Sequence, residues 1–277
     1  MMIEIFVSIG YLILGLIVGF LAGAFGIGGG VIMVPSFVYL FKFHHFPEEL
    51  IPKFAIGTSL FASFLASSSG AYAHIKNKNI NIKLGIILGS FAVLSGFSLS
   101  FLAVRLSSYT LRVIFAFVLL LVSFRLIFDN NVSDDGKDEP NKLSLYLSPI
   151  IGVLIGSLSA FAGVGGGIIA VPILHYIFKL RFKTSIGTSS LIIIFSAFSA
   201  AVSYIINGLT INNFSNNFTL GYVYLLAAIP SGIGTLISGR LGANFAHRTV
   251  SKKLKILFAV LILLIDLKIL YDVFVQG

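Results

Sequence analysis

The chain has 277 residues, 57 % of them hydrophobic and only 10 % charged, and its mean hydropathy is +1.02. A soluble domain carries about 25 % charged residues, so this composition excludes a soluble enzyme and points to a polytopic membrane protein. The net charge of +9 is spread over short connections between apolar runs, where orientation signals sit, so nucleic acid is not an expected partner; with no cysteine, disulfides and thiolate chemistry are excluded too.

In chain order, apolar runs fall at 5–25, 31–43, 54–75, 84–104, 110–128, 144–162, 168–178, 185–206, 219–239 and 256–274. A helix needs about 20 apolar residues to cross a hydrocarbon core of ~30 Å. Eight runs approach that length, while 31–43 and 168–178 are too short, and each of these two directly follows a glycine cluster. The first run has no Lys or Arg ahead of Lys42, so it reads as a retained membrane segment and not as a cleavable signal.

The clusters, Gly26-Ile-Gly-Gly-Gly30 and Gly163-Val-Gly-Gly-Gly167, break a helix, because glycine loses the most entropy there and admits positive φ. Broken backbone at membrane depth is tolerated only where protein buries it or a wet cavity meets it. The short segments that follow would then start with free N–H groups and a positive dipole end, a site for an anion. Pro35 and Pro172 lie about one turn inside them, where a missing N–H costs least. Close packing accounts for Gly15, Gly19, Gly23, Gly85 and Gly89, at small-xxx-small spacing. It does not account for three glycines in succession. A dinucleotide fold would need a strand and an acidic ribose ligand, which the sequence lacks.

The clusters belong to a repeat. Gly19 to Pro35 aligns without gaps on Gly156 to Pro172, with nine of 17 positions identical; composition alone would give about one or two. Lys53-Phe-Ala-Ile-Gly-Thr-Ser59 pairs with Lys183-Thr-Ser-Ile-Gly-Thr-Ser189, a register that brings His74 opposite Tyr204, and Phe115 to Asp129 pairs with Phe258 to Asp272. The expected architecture is an all-α polytopic membrane protein of two homologous halves, 1–128 and 143–277, joined by a polar, acidic linker at 129–142. Each half is expected to hold a glycine-broken helix hairpin followed by about three transmembrane helices. If 76–83, 125–142, 179–183 and 240–255 are cytoplasmic, fourteen Lys and Arg lie inside against four outside, and the halves are inverted repeats, a common transporter plan. A parallel plan gives twelve against six.

Other polar residues carry weaker signals. Gly57-Thr-Ser59 and Gly187-Thr-Ser189 are expected to start the next helix of each half. Their hydroxyls serve either as caps or as neutral donors to an anion. Ser67, Ser68, Ser69, Ser196, Ser199 and Ser203 read mainly as hydrogen-bonding within the bundle. His74 is a titratable candidate for ion coupling, but its place beside Lys76 suits a surface position. Asp266 sits within the last apolar run as a second coupling candidate or a polar helix contact. The adjacent pair His44 and His45 is weak evidence for metal; no metal and no cofactor are expected.

At the paired motifs, Gly19 to Pro35 with Gly57-Thr-Ser59 and Gly156 to Pro172 with Gly187-Thr-Ser189, the chain resembles the TauE/SafE family of membrane permeases, the sulfite exporters. That resemblance implies transport of a small anion, notably sulfite, a sulfonate or another organosulfur compound, across the bacterial cytoplasmic membrane, without enzymatic chemistry. The residues expected to meet the substrate are Gly28, Gly29, Gly30, Thr58, Ser59, Gly165, Gly166, Gly167, Thr188 and Ser189, with Gly26, Gly163, Pro35 and Pro172 structural. Partners implied are the anion, the lipid bilayer, a coupling proton or sodium ion, and a second copy in a homo-oligomer. A channel-like anion pore and a permease for a non-sulfur metabolite stay open as alternatives.

Overall fold

The structure is a computed structural model that describes residues 2–44, 46–107, 145–209 and 218–250, with single positions between 109 and 120 and between 252 and 271. Eight helices are delimited within it: α1 Met2–Phe25, α2 Gly30–Phe43, α3 Ile51–Lys76, α4 Ile82–Ala103, α5 Ser148–Ala162, α6 Gly167–Tyr176, α7 Phe182–Gly208 and α8 Leu225–Arg248. Five segments are long and apolar enough to cross a membrane: Phe6–Phe25 of α1, and α3, α4, α7 and α8. The outside is apolar, with Leu94, Ile17, Ile237 and Leu241 all more than half exposed, as a lipid-facing surface requires. The chain is an all-α polytopic membrane protein. The linker 129–142, Asp266 and most of the runs 110–128 and 256–274 lie outside the described residues.

The packing is reciprocal. Helix α8 lies along α1, and α4 lies along α5; α3 packs between α8 and α7, and α7 between α4 and α3. The last long helix described in one half thus covers the first helix of the other. Glycines permit these approaches. A Cβ on Gly15 would strike the Ser231 backbone and one on Gly23 the Gly239 carbonyl; on the other side, a Cβ on Gly152 would strike the Leu88 carbonyl and one on Gly156 the Ala92 backbone. Gly85 and Gly89 likewise take the Leu191 and Phe195 side chains.

The two ends of the bundle differ in chemistry. At one end Asn77 Nδ2 donates to Asn244 Oδ1 at 2.9 Å, Asn79 Nδ2 meets His247 Nδ1 at 2.8 Å and Lys183 Nζ donates to the His247 carbonyl at 2.8 Å. The connection 77–81 therefore shares an end with the starts of α7 and the finish of α8. At another site Phe41, Phe46, Phe54, Tyr222 and Tyr224 form a buried edge-to-face aromatic cluster, with Phe46 and Tyr224 ring centres 5.0 Å apart. Such offset contacts between rings add to the burial of their area.

Three expectations need correction. The run 219–239 does not begin as a helix: Thr219–Leu220 and Val223–Tyr224 pair as a two-residue antiparallel hairpin, turned at Gly221 with φ +54°. Helix α8 starts after it and continues past Arg240, whose guanidinium stacks 4.7 Å from the Tyr72 ring centre; a cation held on an aromatic face is not a helix terminator. The run 144–162 forms only the 15-residue α5, about 22 Å long and below spanning length. The Gly-Thr-Ser motifs do not start helices either, because α3 opens at Ile51 with Pro52 in its first turn and α7 opens at Phe182.

Candidate functional site

Both glycine clusters break their helices. Gly26, Gly28 and Gly29 take φ of +66°, +74° and +79°, and Gly163, Gly165 and Gly166 take +70°, +72° and +76°. A β-carbon is strongly disfavoured there, which is why glycine stands at the same three places in each cluster. Gly29 and Gly166 are the left-handed residues just before α2 and α6. The first N–H groups of these helices have no carbonyl four residues back within the helix. Pro35 and Pro172 are interior to α2 and α6. Each sits in the second turn, past the positions where an N–H is dispensable, so each frees one carbonyl of the turn that faces the break.

The two breaks touch. A Cβ on Gly30 would strike the Gly163 carbonyl and Val164 Cα, and one on Gly167 would strike the Gly26 carbonyl and Ile27 Cα. One on Gly28 would come within 2.9 Å of the Val164 carbonyl oxygen. Backbone thus meets backbone at Gly28, Gly30 and Gly167, while a Cβ on Gly165 would first meet the Ile193 and Ala197 side chains of α7. Gly29 and Gly166 face the other way, onto Val18 of α1 and Ile155 of α5.

Helices α3 and α7 tie the breaks down. Ser59 Oγ donates to the Gly163 carbonyl at 2.9 Å, and Ser189 Oγ donates to the Gly26 carbonyl at 2.7 Å. Thr58 Oγ1 accepts from Tyr224 N–H at 3.0 Å, and Thr188 Oγ1 accepts from Asn81 N–H at 2.9 Å. All four side chains are fully buried. Each hydroxyl crosses to the other half: the serines hold the opposite break, and the threonines hold the residue just before α8 and the one just before α4. A carbonyl freed by a positive-φ glycine needs a donor when buried, and these serines supply it. Their protons are therefore spent on backbone in this conformation.

A further pair obeys the same correspondence. His74 Nε2 lies 3.0 Å from the Gly23 carbonyl, and Tyr204 Oη donates to the Ala160 carbonyl at 3.0 Å. His74 is completely buried, so it is not the surface residue its neighbour Lys76 suggests. A carbonyl only accepts, so Nε2 carries the proton and the bare Nδ1 is left without a partner among the described residues. Outside the helices, Tyr222 sits under Lys53, whose Nζ is 5.8 Å from the ring centre, and burial pushes its phenol above the ordinary range.

Ser196 Oγ donates to the Gly165 carbonyl at 2.7 Å, while Ser69, Ser199 and Ser203 bond the carbonyls of Leu236, Ser196 and Phe97. These serines act within the bundle, as expected. One residue that no motif marks also faces the breaks. The fully buried Ile193 reaches Gly28, Gly165 and Gly167 with its methyl groups, and its counterpart in the repeat register is Ser63. The signal that finds Ser63 is its spacing of four from both Ser59 and Ser67.

The sequence pattern described as "Sulfite exporter TauE/SafE" matches residues 11–269. The chain belongs to the TauE/SafE family. It is 31 % identical over 249 residues to a "probable membrane transporter protein" of Methanocaldococcus jannaschii, covering 90 % of each chain. It is 32 % identical to a protein of the same description from Haemophilus influenzae, covering 92 % of this chain and 94 % of that one. To YunE of Bacillus subtilis, also a "probable membrane transporter protein", it is 26 % identical over 94 % of this chain and 96 % of that one. No solved structure matches. As a TauE/SafE protein with spanning helices, the chain is a membrane transporter, or permease.

Proposed function

We propose that this permease is a secondary carrier of a small oxyanion, sulfite or a short sulfonate, which it moves across the cytoplasmic membrane by alternating access. The observation that carries the reading is the meeting of the two breaks. It puts the amide-bearing start of α2, at Gly30, against the backbone of the second break, and that of α6, at Gly167, against the backbone of the first. Two like dipole ends held together favour a negative charge next to them. Hydrogen-bond donors without a fixed cation suit an anion that must also be released. Transporters place their sites where broken helices meet near the midplane.

The reciprocal ties support halves that move against each other, since each half holds the other's break through one serine. The sharing of one end by Asn77, Asn79, Lys183 and His247 supports the inverted plan, because a parallel plan sends 76–83 to the opposite side from 179–183 and 240–255. The test is flux into proteoliposomes holding the full chain. The expected result is saturable, gradient-driven sulfite uptake that is trans-stimulated by internal sulfite. Uptake that never saturates and shows no counterflow contradicts a carrier and establishes a pore.

A further inference from the structure

Serines inside helices ordinarily give their proton to the carbonyl four residues back. Ser36, Ser68, Ser90, Ser100, Ser157, Ser231 and Ser238 all do so, at 2.6 to 3.0 Å. Ser63 and Ser67 of α3 do not, and neither do Ser148 and Ser159 of α5. The Ser63 and Ser67 hydroxyls are buried, at 0 % and 3 % residue exposure, and have no partner among the described residues. Both belong to α3, where Ser68 makes the ordinary bond.

Their direction follows from two independent placements. Ser63 and Ser67 stand one and two turns beyond Ser59 on the same helix face, and Ser59 touches the Gly163 carbonyl at the second break. Ser63 also corresponds in the repeat register to Ile193, whose methyl groups contact both breaks from α7. Ser67 corresponds to Ala197, which is buried and approaches Gly165. The α3 side of the junction thus carries two idle hydroxyls where the α7 side carries Ile193 and Ala197. Ser63 and Ser67 are four residues apart, about 6 Å of rise, and their hydroxyls do not bond each other.

We propose that the face of α3 bearing Ser63 and Ser67 is the polar wall of the permeant site, where the two hydroxyls donate to an oxyanion held beside the helix breaks, and that Ile193 forms the apolar wall across from it. The proposal rests on the anion-carrier reading and deepens it: the site is one-sided although the fold is paired. An idle buried hydroxyl lowers stability, and here two of them stand on one face of the helix that grips the second break.

The test uses the full chain in proteoliposomes, with sulfite, sulfate, thiosulfate and methanesulfonate as probes. Ser63→Ala and Ser67→Ala are each expected to raise the transport KM roughly tenfold or more, the loss typical of a hydrogen bond to a charged group. Their melting temperatures stay level or rise, because no bond within the protein is lost. Ser63→Thr, which keeps the hydroxyl, restores the KM, and Ser68→Ala leaves it unchanged. If wild type carries one of the probes and both alanine variants match its KM and rate, the polar wall is overturned while the carrier reading stands. The wall is overturned equally if transport falls only in step with a falling melting temperature. If wild type moves none of the four anions, the carrier reading fails and the wall with it.

Discussion

Helices α3 and α7 occupy corresponding places and do two different jobs. Both grip the opposite break with a serine, Ser59 on Gly163 and Ser189 on Gly26, and both offer a threonine oxygen to a backbone N–H. One turn further on they part. Helix α7 presses Ile193 onto the glycines and adds Ser196 on the Gly165 carbonyl, whereas α3 presents Ser63 without a partner and Ala66 in place of Ser196. The residues shared by the two sequence repeats, Ser59 with Ser189 and Thr58 with Thr188, make matching contacts across the molecule, while the residues that differ give the two breaks different neighbours.

The comparison breaks most visibly at the junction itself. Gly30→Leu or Gly167→Leu drives a side chain into backbone of the opposite break, and neither variant is expected to survive detergent extraction as a monodisperse species on size-exclusion chromatography. Gly10→Leu, with open space around its Cβ, should extract like wild type. Next in size is Ile193→Ala, which leaves a cavity against both breaks and should cost about 2–5 kcal/mol in thermal or denaturant unfolding. Ser63→Ala at the corresponding place should cost nothing. Ser59→Ala and Ser189→Ala should each lose about 1–3 kcal/mol by stranding a buried carbonyl. Their losses should match within error, since the two bonds are counterparts; a large inequality would show that one break carries the structure alone. The smallest effect belongs to Tyr204→Phe, which removes one bond to the Ala160 carbonyl and should cost about 0.5–1.5 kcal/mol.

Much of this architecture is legible in the sequence, for physical reasons that can be named. Glycine density at 26–30 and 163–167 marks the breaks because positive φ leaves almost no other choice. The small-residue spacing of Gly15, Gly19 and Gly23 marks the face that α8 covers. Local pattern fails where a distant partner decides. The burial of His74 depends on the Gly23 carbonyl, 51 residues away in the chain. The place of Arg240 within α8 is covered by the Tyr72 ring, 168 residues away in the chain, and the hairpin at 219–224 is too short for its alternation to stand out from an apolar run. The sequence leaves Thr58 and Ser59 open between a cap and a ligand, because the backbone partner that each takes lies more than 100 residues away in the chain. Ser63 carries no motif; its spacing of four from Ser59 and from Ser67, together with its missing partner, singles it out.

The chain has no cysteine, so a single engineered thiol reports on its own position. The most direct test places Ser63→Cys in membrane vesicles and follows its labelling by an impermeant thiol reagent applied from each face, with and without methanesulfonate, which does not react with the reagent. An alternating site between the breaks predicts that the thiol is reached from both faces and that methanesulfonate slows the labelling from each. A thiol reached from neither face, or labelled at a rate that no anion changes, would contradict the account.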